Sequence, residues 1–541
     1  MSEVEGAAGL SVRGADAVPG AAAARQELSD NSVAARLAEK DPTLWGKDAE
    51  PEAEVRLGWV DTFRRSRDLL PRVAQLRQEL DGLDHVVLAG MGGSSLAPEV
   101  IARTLGIRLT ILDTTDPHQV RAALTDRLDR TVVVLSSKSG STVETDSHRR
   151  AYWQAFVDAG VVEPGKRFVV VTDPGSPLEK IARDDGMHLV LADPDVGGRY
   201  SALTAFGIVP AALAGVKVSE LLDQAEELSP TIGDDEGTNP ALALGSALGA
   251  AAKGGRAKLA LADDGTGITG LGDWIEQLVA ESTGKDGKGI LPVVVETPTA
   301  PGATGGDVLT VTVGGALPPA EMPGRGVEPH VSVNGPLGAH FLVWEAATAL
   351  AGRLLGVNPF DQPNVTESKD NTQQILTNGL PAQTPTFSDG AVEGYGGPAS
   401  TVEESLAWLL GEIDERGYLA VLAFLDRFGD APLEQIRARL AKASGRPVTF
   451  GWGPRYLHST GQYHKGGPQV GSFLQVTGTV TDDLAVPGRP YTFGELQAAQ
   501  AGGDRLALAG RKRPLLWLHL TDRRAGVAQL LTAAAALTNR G

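Results

Sequence analysis

Cysteine is absent from the chain. Disulfides, thiolate metal sites and cysteine nucleophiles are therefore excluded, and the cytoplasm is the default compartment. No apolar run approaches the roughly 20 residues that a helix needs to cross a bilayer, so we expect no membrane-spanning segment. Residues 1–20 lack both the basic and the apolar stretch of a secretory signal, and we interpret them as a flexible leader.

The chain also has no excess of basic residues. Its 49 Lys and Arg residues face 67 Asp and Glu residues, which gives a formal net charge of −18. Because the chain has no basic excess that would neutralise a phosphate backbone, the charge argues against unspecific nucleic-acid binding, and we expect no nucleic-acid partner. Any anionic ligand must be captured by a local site.

Short apolar runs alternate with amphipathic stretches in the first half of the chain, which predicts an α/β fold with parallel sheets. The predicted strands of the first unit are HVVLAG (85–90), TVVVLSS (131–137), RFVVVTD (167–173) and HLVLAD (188–193). Their nearly continuous hydrophobicity is typical of strands that are buried on both faces. KLALADD, VVVET, VLTVTV and HVSVNG repeat the pattern in a second unit.

The predicted organisation has four parts. A leader and arm cover residues 1–50, and two α/β subdomains cover residues 51–230 and 231–400. Residues 401–541, with YLAVLAFL and PVTFGWG, are predicted to form a smaller α+β region.

The segment SSKSGSTVET (136–145) follows a predicted strand and precedes a predicted helix. Its Ser137, Ser139, Ser141 and Thr142 hydroxyls and the backbone amides of a helix start would bind a phosphate group well, with Lys138 beside them. The alternative is ordinary helix capping, but a cap needs only one hydroxyl.

A second polar loop, AGMGGSSL, supplies Gly92, Gly93 and Ser94 after another strand. Glycines allow close approach of the backbone to a ligand, although a glycine-rich turn alone is a weak signal. Two such loops at the carboxyl ends of parallel strands carry more weight, because ligands of open α/β sheets bind there.

These two loops resemble the sugar isomerase (SIS) domain, and three later segments resemble the glucose-6-phosphate isomerase family. The segments are GGRYSALTAFG (197–207), WIEQLVAESTGKDGKGILPV (274–293) and GVNPFDQPNVTESK (356–369). RYLHSTGQYHKGGP and PYTFGELQAAQ are similar to the isomerase half of fused transaldolase–isomerase proteins. The resemblance implies two flavodoxin-like subdomains, a sugar phosphate substrate, no cofactor or metal, and a homodimer.

The resemblance also implies roles for single residues. Glu281 would be the base that shuttles a proton, and Arg199 would stabilise the enediolate. Lys369 would assist at the ring oxygen or the C1 hydroxyl, and His458 would open the sugar ring. For each, the alternative is an ordinary structural or surface residue.

Glu144 is predicted to belong to the substrate-binding residues, where it either orients Arg199 or faces solvent. Other residues are expected to be structural or solvated, and His340 packs in the core. Lys285 and Lys288 are predicted to lie in a solvated loop. The second signature departs from the family pattern at Asn364 and Thr366, where glycine and glutamate are usual, while Lys369 is kept.

Two rival functions remain open at this point. A dual phosphoglucose/phosphomannose isomerase would use the same proton shuttle and differ only in the stereochemistry at C2. A regulator that binds sugar phosphates without catalysis would keep the phosphate loops.

The double substitution Ser139→Ala and Thr142→Ala should mainly raise the KM for a sugar phosphate. Each hydrogen bond to a charged phosphate is worth roughly 1.5–3 kcal/mol. Steady-state kinetics would measure the change, and some loss of kcat is also expected because phosphate binding positions the sugar. An unchanged KM with a lower Tm would instead support helix capping.

Overall fold

The computed structural model describes residues 3–316 and 330–538. The strands in these ranges are β1 Glu3–Glu5, β2 Ser11–Arg13, β3 His85–Gly90, β4 Thr110–Leu112, β5 Thr131–Ser136, β6 Phe168–Thr172, β7 His188–Leu191, β8 Lys258–Asp263, β9 Leu291–Val294, β10 Val308–Gly314, β11 His330–Asn334, β12 Phe387–Asp389, β13 Val392–Tyr395, β14 Tyr418–Phe424, β15 Val448–Trp452, β16 Gly471–Gly478 and β17 Leu515–Leu520.

The α-helices of the same ranges cover the sheets and connect their strands. They are α1 Ala21–Asp30, α2 Val33–Ala38, α3 Glu50–Glu54, α4 Thr62–Arg65, α5 Leu69–Glu79, α6 Leu96–Thr104, α7 Pro117–Thr125, α8 Val143–Asp158, α9 Pro177–Asp184, α10 Ala205–Leu213, α11 Ser219–Ile232, α12 Pro240–Lys253, α13 Leu271–Thr283, α14 Leu337–Leu355, α15 Thr366–Asn378, α16 Val402–Gly411, α17 Ile436–Ser444, α18 Gly461–Gly466, α19 Phe493–Gly510 and α20 Arg523–Thr538. None of the helices in the described ranges combines the length and apolarity that crossing a membrane requires.

The first sheet has the strand order β4-β3-β5-β6-β7, and all of its pairs are parallel. Its central strands β3, β5 and β6 are buried along their whole length, as their apolar sequences predict. The predicted α/β class with parallel sheets is confirmed. The sheet also contains β4, a strand of three residues at its edge.

The second sheet has the order β1-β2-β11-β10-β8-β9. Its strands β8 to β11 are parallel, whereas β2 pairs with β11 in the antiparallel direction. The expectation of a flexible leader is therefore wrong for residues 3–13. These residues form an antiparallel hairpin that joins the sheet, and the side chains of Leu10 and Val12 are buried in the core.

The third sheet has the order β12-β13-β17-β16-β14-β15. Strands β14 to β17 are parallel, so the C-terminal region is α/β and the predicted α+β arrangement is wrong there. The sheet begins at Phe387, before the predicted boundary at residue 400. The third sheet starts before residue 400 because β13 pairs with β17, the last strand of the C-terminal region.

Shared cores hold the sheets together. One continuous apolar core joins the helices and strands of the first and second sheets. A second core joins Leu291 and Val308 of the second sheet to Tyr418 and Phe473 of the third. The third sheet is therefore packed directly against the second.

One acidic residue lies inside the apolar helix α14. Glu345 is fully buried, and neither of its carboxyl oxygens has a hydrogen-bond partner among the described residues. Burial raises the pKa of Glu345 well above its usual value, because the ionised form would lose its hydration. The folded chain therefore keeps the proton on Glu345 over a pH range in which the unfolded chain has already released it.

Glu345→Leu should stabilise the chain by about 1–3 kcal/mol, since it removes an unpaired buried polar group of similar size. The gain should grow as pH rises above the ordinary glutamate range. There the unfolded wild type loses the proton and its folded form does not, so only the wild type loses stability. Urea unfolding at several pH values would measure this.

Glu345→Gln is the matched control for this prediction. In Glu345→Gln, the contribution of residue 345 to the pH dependence of stability should be absent. The cost of burying an unpaired polar group should remain. An equal dependence on pH in all three proteins would contradict the prediction.

Candidate active site

A cleft of about 810 Å³ lies among the three sheets of the described residues, at the carboxyl ends of β3 and β5. It is lined by all of the residues that the sequence singles out as catalytic or ligand-binding. These are Gly92, Gly93, Ser94, Ser137, Lys138, Ser139, Ser141, Thr142, Glu144, Arg199, Glu281, Lys369 and His458. The lining residues come from all three regions of the chain that contain a sheet.

The glycine loop after β3 is in very close contact with two other segments. A Cβ atom on Gly93 would lie 1.9 Å from the carbonyl oxygen of Gly198, beside Arg199. Gly92 has a φ of +55° and faces the backbone of His458. Glycine is required at both positions because any side chain would push Arg199 or His458 out of place.

The hydroxyl loop after β5 bonds mainly within itself. The Ser137 and Thr142 hydroxyls are 2.9 Å apart, and the Ser141 hydroxyl donates to Ser139 at 3.1 Å. Helix α8 begins directly after the loop, and no side chain caps its first turn. Lys138 also lines the cleft, but its ammonium group is paired with Asp173.

Glu281 and Arg199 face each other in the buried part of the cleft. Arg199 Nε lies 3.8 Å from Glu281 Oε2, and Gln277 Nε2 donates to the same carboxylate oxygen at 3.2 Å. Burial raises the pKa of Glu281, although Arg199 and His458 oppose the shift by favouring the charged form. A carboxylate with a raised pKa is suited to accept and return a proton near neutral pH.

The segment 358–361 fixes the position of Arg199. Arg199 Nη2 donates to the carbonyl oxygens of Phe360 and Asp361 at 2.8 and 2.9 Å. Its Nη1 atom is buried and has no hydrogen-bond partner among the described residues, so it has a donor left for a ligand.

The expectation that Lys285 is solvated is wrong. Its side chain is buried, and its ammonium group donates to the Asn358 carbonyl at 2.6 Å and to both the carbonyl and the carboxylate of Asp361. Burial and nearby Arg199 lower the pKa of Lys285 to about 8. Lys285 thus holds the segment that orients Arg199, while Lys288 stays exposed as predicted.

Glu144 is paired with His458. His458 Nε2 lies 3.0 Å from Glu144 Oε1, which also accepts a hydrogen bond from Gln500 at 2.7 Å. Burial would raise the pKa of Glu144, but the charge and hydrogen bond of His458, a backbone hydrogen bond and the charge of Lys369 together lower the pKa below its usual value. Glu144 therefore neither orients Arg199 nor faces solvent, and both expectations for it are wrong.

Arg455 anchors the short segment that carries His458. Its guanidinium group is buried between Glu99 and Asp113, with Arg455 Nε 3.2 Å from Asp113 Oδ2. Arg427 contributes a second ion pair, at 2.8 Å from Glu99. These ion pairs connect the region of the third sheet to the region of the first sheet beside the cleft.

Lys369 lies in the first turn of α15 and is exposed. It lines the cleft, and its charge contributes to the low pKa of Glu144. His340, in contrast, lies in the core as predicted, where its Nε2 is 2.9 Å from the Gly314 carbonyl.

Sequence reasoning missed three polar residues that support the site: Gln277, Gln500 and Lys285. Gln277 precedes Glu281 by four residues, so helical spacing alone places both on one face of α13. Gln500 ends the quoted segment PYTFGELQAAQ, but nothing in that segment indicates a contact with Glu144.

Comparison with known proteins gives one consistent family. A model of the family described as phosphoglucose isomerase matches residues 68–306. The glucose-6-phosphate isomerase of Rubrobacter xylanophilus is 30% identical over 380 residues, which cover 56% of this chain and 86% of that protein. The chain belongs to the glucose-6-phosphate isomerase family. The family resemblance expected from the sequence is confirmed.

Other members of the glucose-6-phosphate isomerase family match over shorter lengths. The Acaryochloris marina enzyme is 36% identical over 37% of this chain and 40% of its own length. A probable glucose-6-phosphate isomerase of Haloarcula marismortui is 33% identical over 39% of this chain and 49% of its own length. The chain thus spans about half the length of these curated relatives.

Two solved structures share the fold. A hypothetical protein from Thermus thermophilus superposes with a TM-score of 0.58 at 24% identity, over 67% of this chain and 99% of that one. A glucose-6-phosphate isomerase from Chlamydia trachomatis superposes with a TM-score of 0.50 at 21% identity, over 58% of this chain and 74% of that one.

Proposed function

We propose that the chain is an aldose–ketose isomerase that interconverts glucose 6-phosphate and fructose 6-phosphate. The observation that carries the proposal is the buried Glu281 carboxylate 3.8 Å from Arg199, in a cleft that also contains the hydroxyl loop. Family membership supports the same activity.

In the proposed reaction, Glu281 removes the proton from C2 of the open-chain aldose. The electron pair forms the C1–C2 double bond, and negative charge develops on the oxygens of the enediolate. Arg199 lies next to Glu281 and would stabilise that charge through its unpaired Nη1 donor. Glu281 then returns its proton to C1, the hydroxyl proton moves from O2 to O1, and the ketose results.

The remaining cleft residues bind and prepare the sugar. The phosphate would be held by Ser137, Ser139, Ser141 and Thr142 at the uncapped start of α8. His458 would open the ring, with Glu144 holding its imidazole in place. Lys369 would act at the ring oxygen or the C1 hydroxyl.

A cytoplasmic homodimer is also part of this proposal. The resemblance to the isomerase half of fused transaldolase–isomerase proteins stays a prediction.

An assay with glucose, mannose and fructose 6-phosphates tests the proposed function. We expect turnover of the glucose–fructose pair; turnover of mannose 6-phosphate as well would indicate the dual isomerase, and no turnover would indicate the regulator.

Glu281→Gln should lower kcat by about a hundredfold or more, since positioned bases contribute on that scale. Fructose 6-phosphate binding should change only a few-fold, because the ground state loses no phosphate contact. Retention of a tenth of wild-type turnover would refute the assignment.

Glu276→Gln is the matched control for the shuttle base. Glu276 is also on α13, but it does not line the cleft. Burial raises its pKa to about 8, so it is mostly neutral near pH 7 and a glutamine resembles it closely. Its kcat should remain within a few-fold of wild type.

His458→Ala should slow isomerisation of the cyclic substrate much more than proton exchange at C1 of the open-chain ketose. This follows if His458 acts in ring opening, a step that the open-chain sugar bypasses. Isomerisation rates and solvent deuterium exchange followed by NMR would separate the two steps. His118→Ala, outside the cleft, is the control, and equal losses in both measurements would refute the ring-opening role.

A further inference from the structure

A second cavity, of about 470 Å³, lies in the C-terminal region and shares no lining residue with the active-site cleft. We call it the C-terminal cavity. Tyr395, Thr477 and Trp517 of the third sheet form one side of it, and helix α19 with the segment 380–383 forms the other. Its walls are largely apolar, and Leu380 and Leu506 at the cavity are 45% and 49% exposed. Its size is within the range of small-molecule sites.

The cavity contains one permanently charged group, Arg505. The Arg505 guanidinium lies 3.8 Å from the centre of the Trp517 ring, and its Nη1 donates to Gln475 at 2.5 Å. Within the described ranges Arg505 makes no salt bridge, and no Asp or Glu lines the cavity, although the charge of the neighbouring Asp504 favours the charged form of Arg505. Burial lowers the pKa of Arg505 to about 10, so it remains charged at neutral pH.

The other polar side chains of this wall already have hydrogen-bond partners, and the Tyr395 hydroxyl donates to Glu393 at 3.0 Å. Thr477 accepts a hydrogen bond from Trp517 Nε1 at 2.8 Å and lies 2.9 Å from His519 Nδ1. Burial lowers the pKa of His519, which favours its neutral form. Arg505 is therefore the group that would select the charge of a ligand.

A partly desolvated cation without a carboxylate is costly, and an anion would offset that cost. We propose that the C-terminal cavity binds a small organic anion, in which an apolar body fills the cavity and a carboxylate, phosphate or sulfonate group pairs with Arg505.

The cavity and the cleft share two helices. Helix α15 carries Lys369 at the cleft and Ile375 at the cavity, and α19 carries Gln500 at the cleft and Arg505 at the cavity. The two helices are in contact, since a Cβ on Gly502 would touch Ile375 and one on Gly503 would touch Thr372. If the proposed isomerase function holds, an anion in the cavity therefore acts on the helices that position Lys369 and Gln500.

The test is a fluorescence titration of the full chain with anilinonaphthalene sulfonate, an apolar anion. Its uncharged counterpart N-phenylnaphthylamine serves as the matched neutral probe. We expect one sulfonate probe per chain and binding about tenfold or more weaker in Arg505→Gln, the scale of one charge-assisted hydrogen bond. Binding of the neutral probe should not respond to Arg505→Gln.

Two further variants keep the test decisive. Ala498→Trp fills the cavity and should block both probes, while Arg183→Gln, on the distant surface helix α9, should block neither. Circular dichroism and Tm verify that each variant folds, and Arg505→Met, which also removes the charge, replaces Arg505→Gln if the latter does not. These binding measurements do not depend on isomerase activity, so they fail or succeed separately from the proposed function.

Two results would overturn the proposal. One is sulfonate binding that is absent, or unchanged in both Arg505→Gln and Ala498→Trp. The other is a dimer in sedimentation experiments that Leu506→Glu dissociates, because the cavity would then be covered by a second copy of the chain.

Discussion

The buried pairing of Arg455 with Glu99 and Asp113 is the constraint on which the cleft depends most. Burial alone would lower the pKa of Arg455, but the surrounding carboxylates raise it, so the guanidinium is always charged. A charged group at this depth must keep its partners, because leaving them costs several kcal/mol. The pairing therefore fixes the distance between the first sheet and the segment that ends in His458.

Beside this pairing, several segments of the chain hold the polar side chains of the site in place. Arg199 is oriented by the backbone of residues 360 and 361, and Lys285 fixes this segment by a hydrogen bond to Asp361. Glu281 projects from α13, and His458 is held by Glu144 and Gln500. The glycine loop at Gly93 and the segment at Gly198 are packed so closely that no side chain fits between them. Preorganised charges of this kind are what proton transfer through an enediolate requires.

The sequence predicts the parts of the fold that local pattern controls. HVVLAG and TVVVLSS became buried parallel strands because nearly every residue in them is apolar or small. LLWLHL forms β17, which is not among the predicted strands, and its alternate side chains Leu515, Trp517 and His519 line the C-terminal cavity. Contacts such as Arg455 with Glu99 join residues 356 apart, and no local pattern encodes them. Lys285 looked solvated in a glycine-rich stretch because the segment that covers it lies far along the chain.

The dependence of the cleft on α19 has a consequence for biosynthesis. A ribosome releases the first sheet, which ends at Leu191, long before it has made Gln500. Until the third sheet emerges, Leu291 and Val308 of the second sheet have no cover from Tyr418 and Phe473. The growing chain must therefore keep this apolar face from aggregating while the residues between Val308 and Phe473 are made. The residues that line the cleft are all present only after Gln500 has been made.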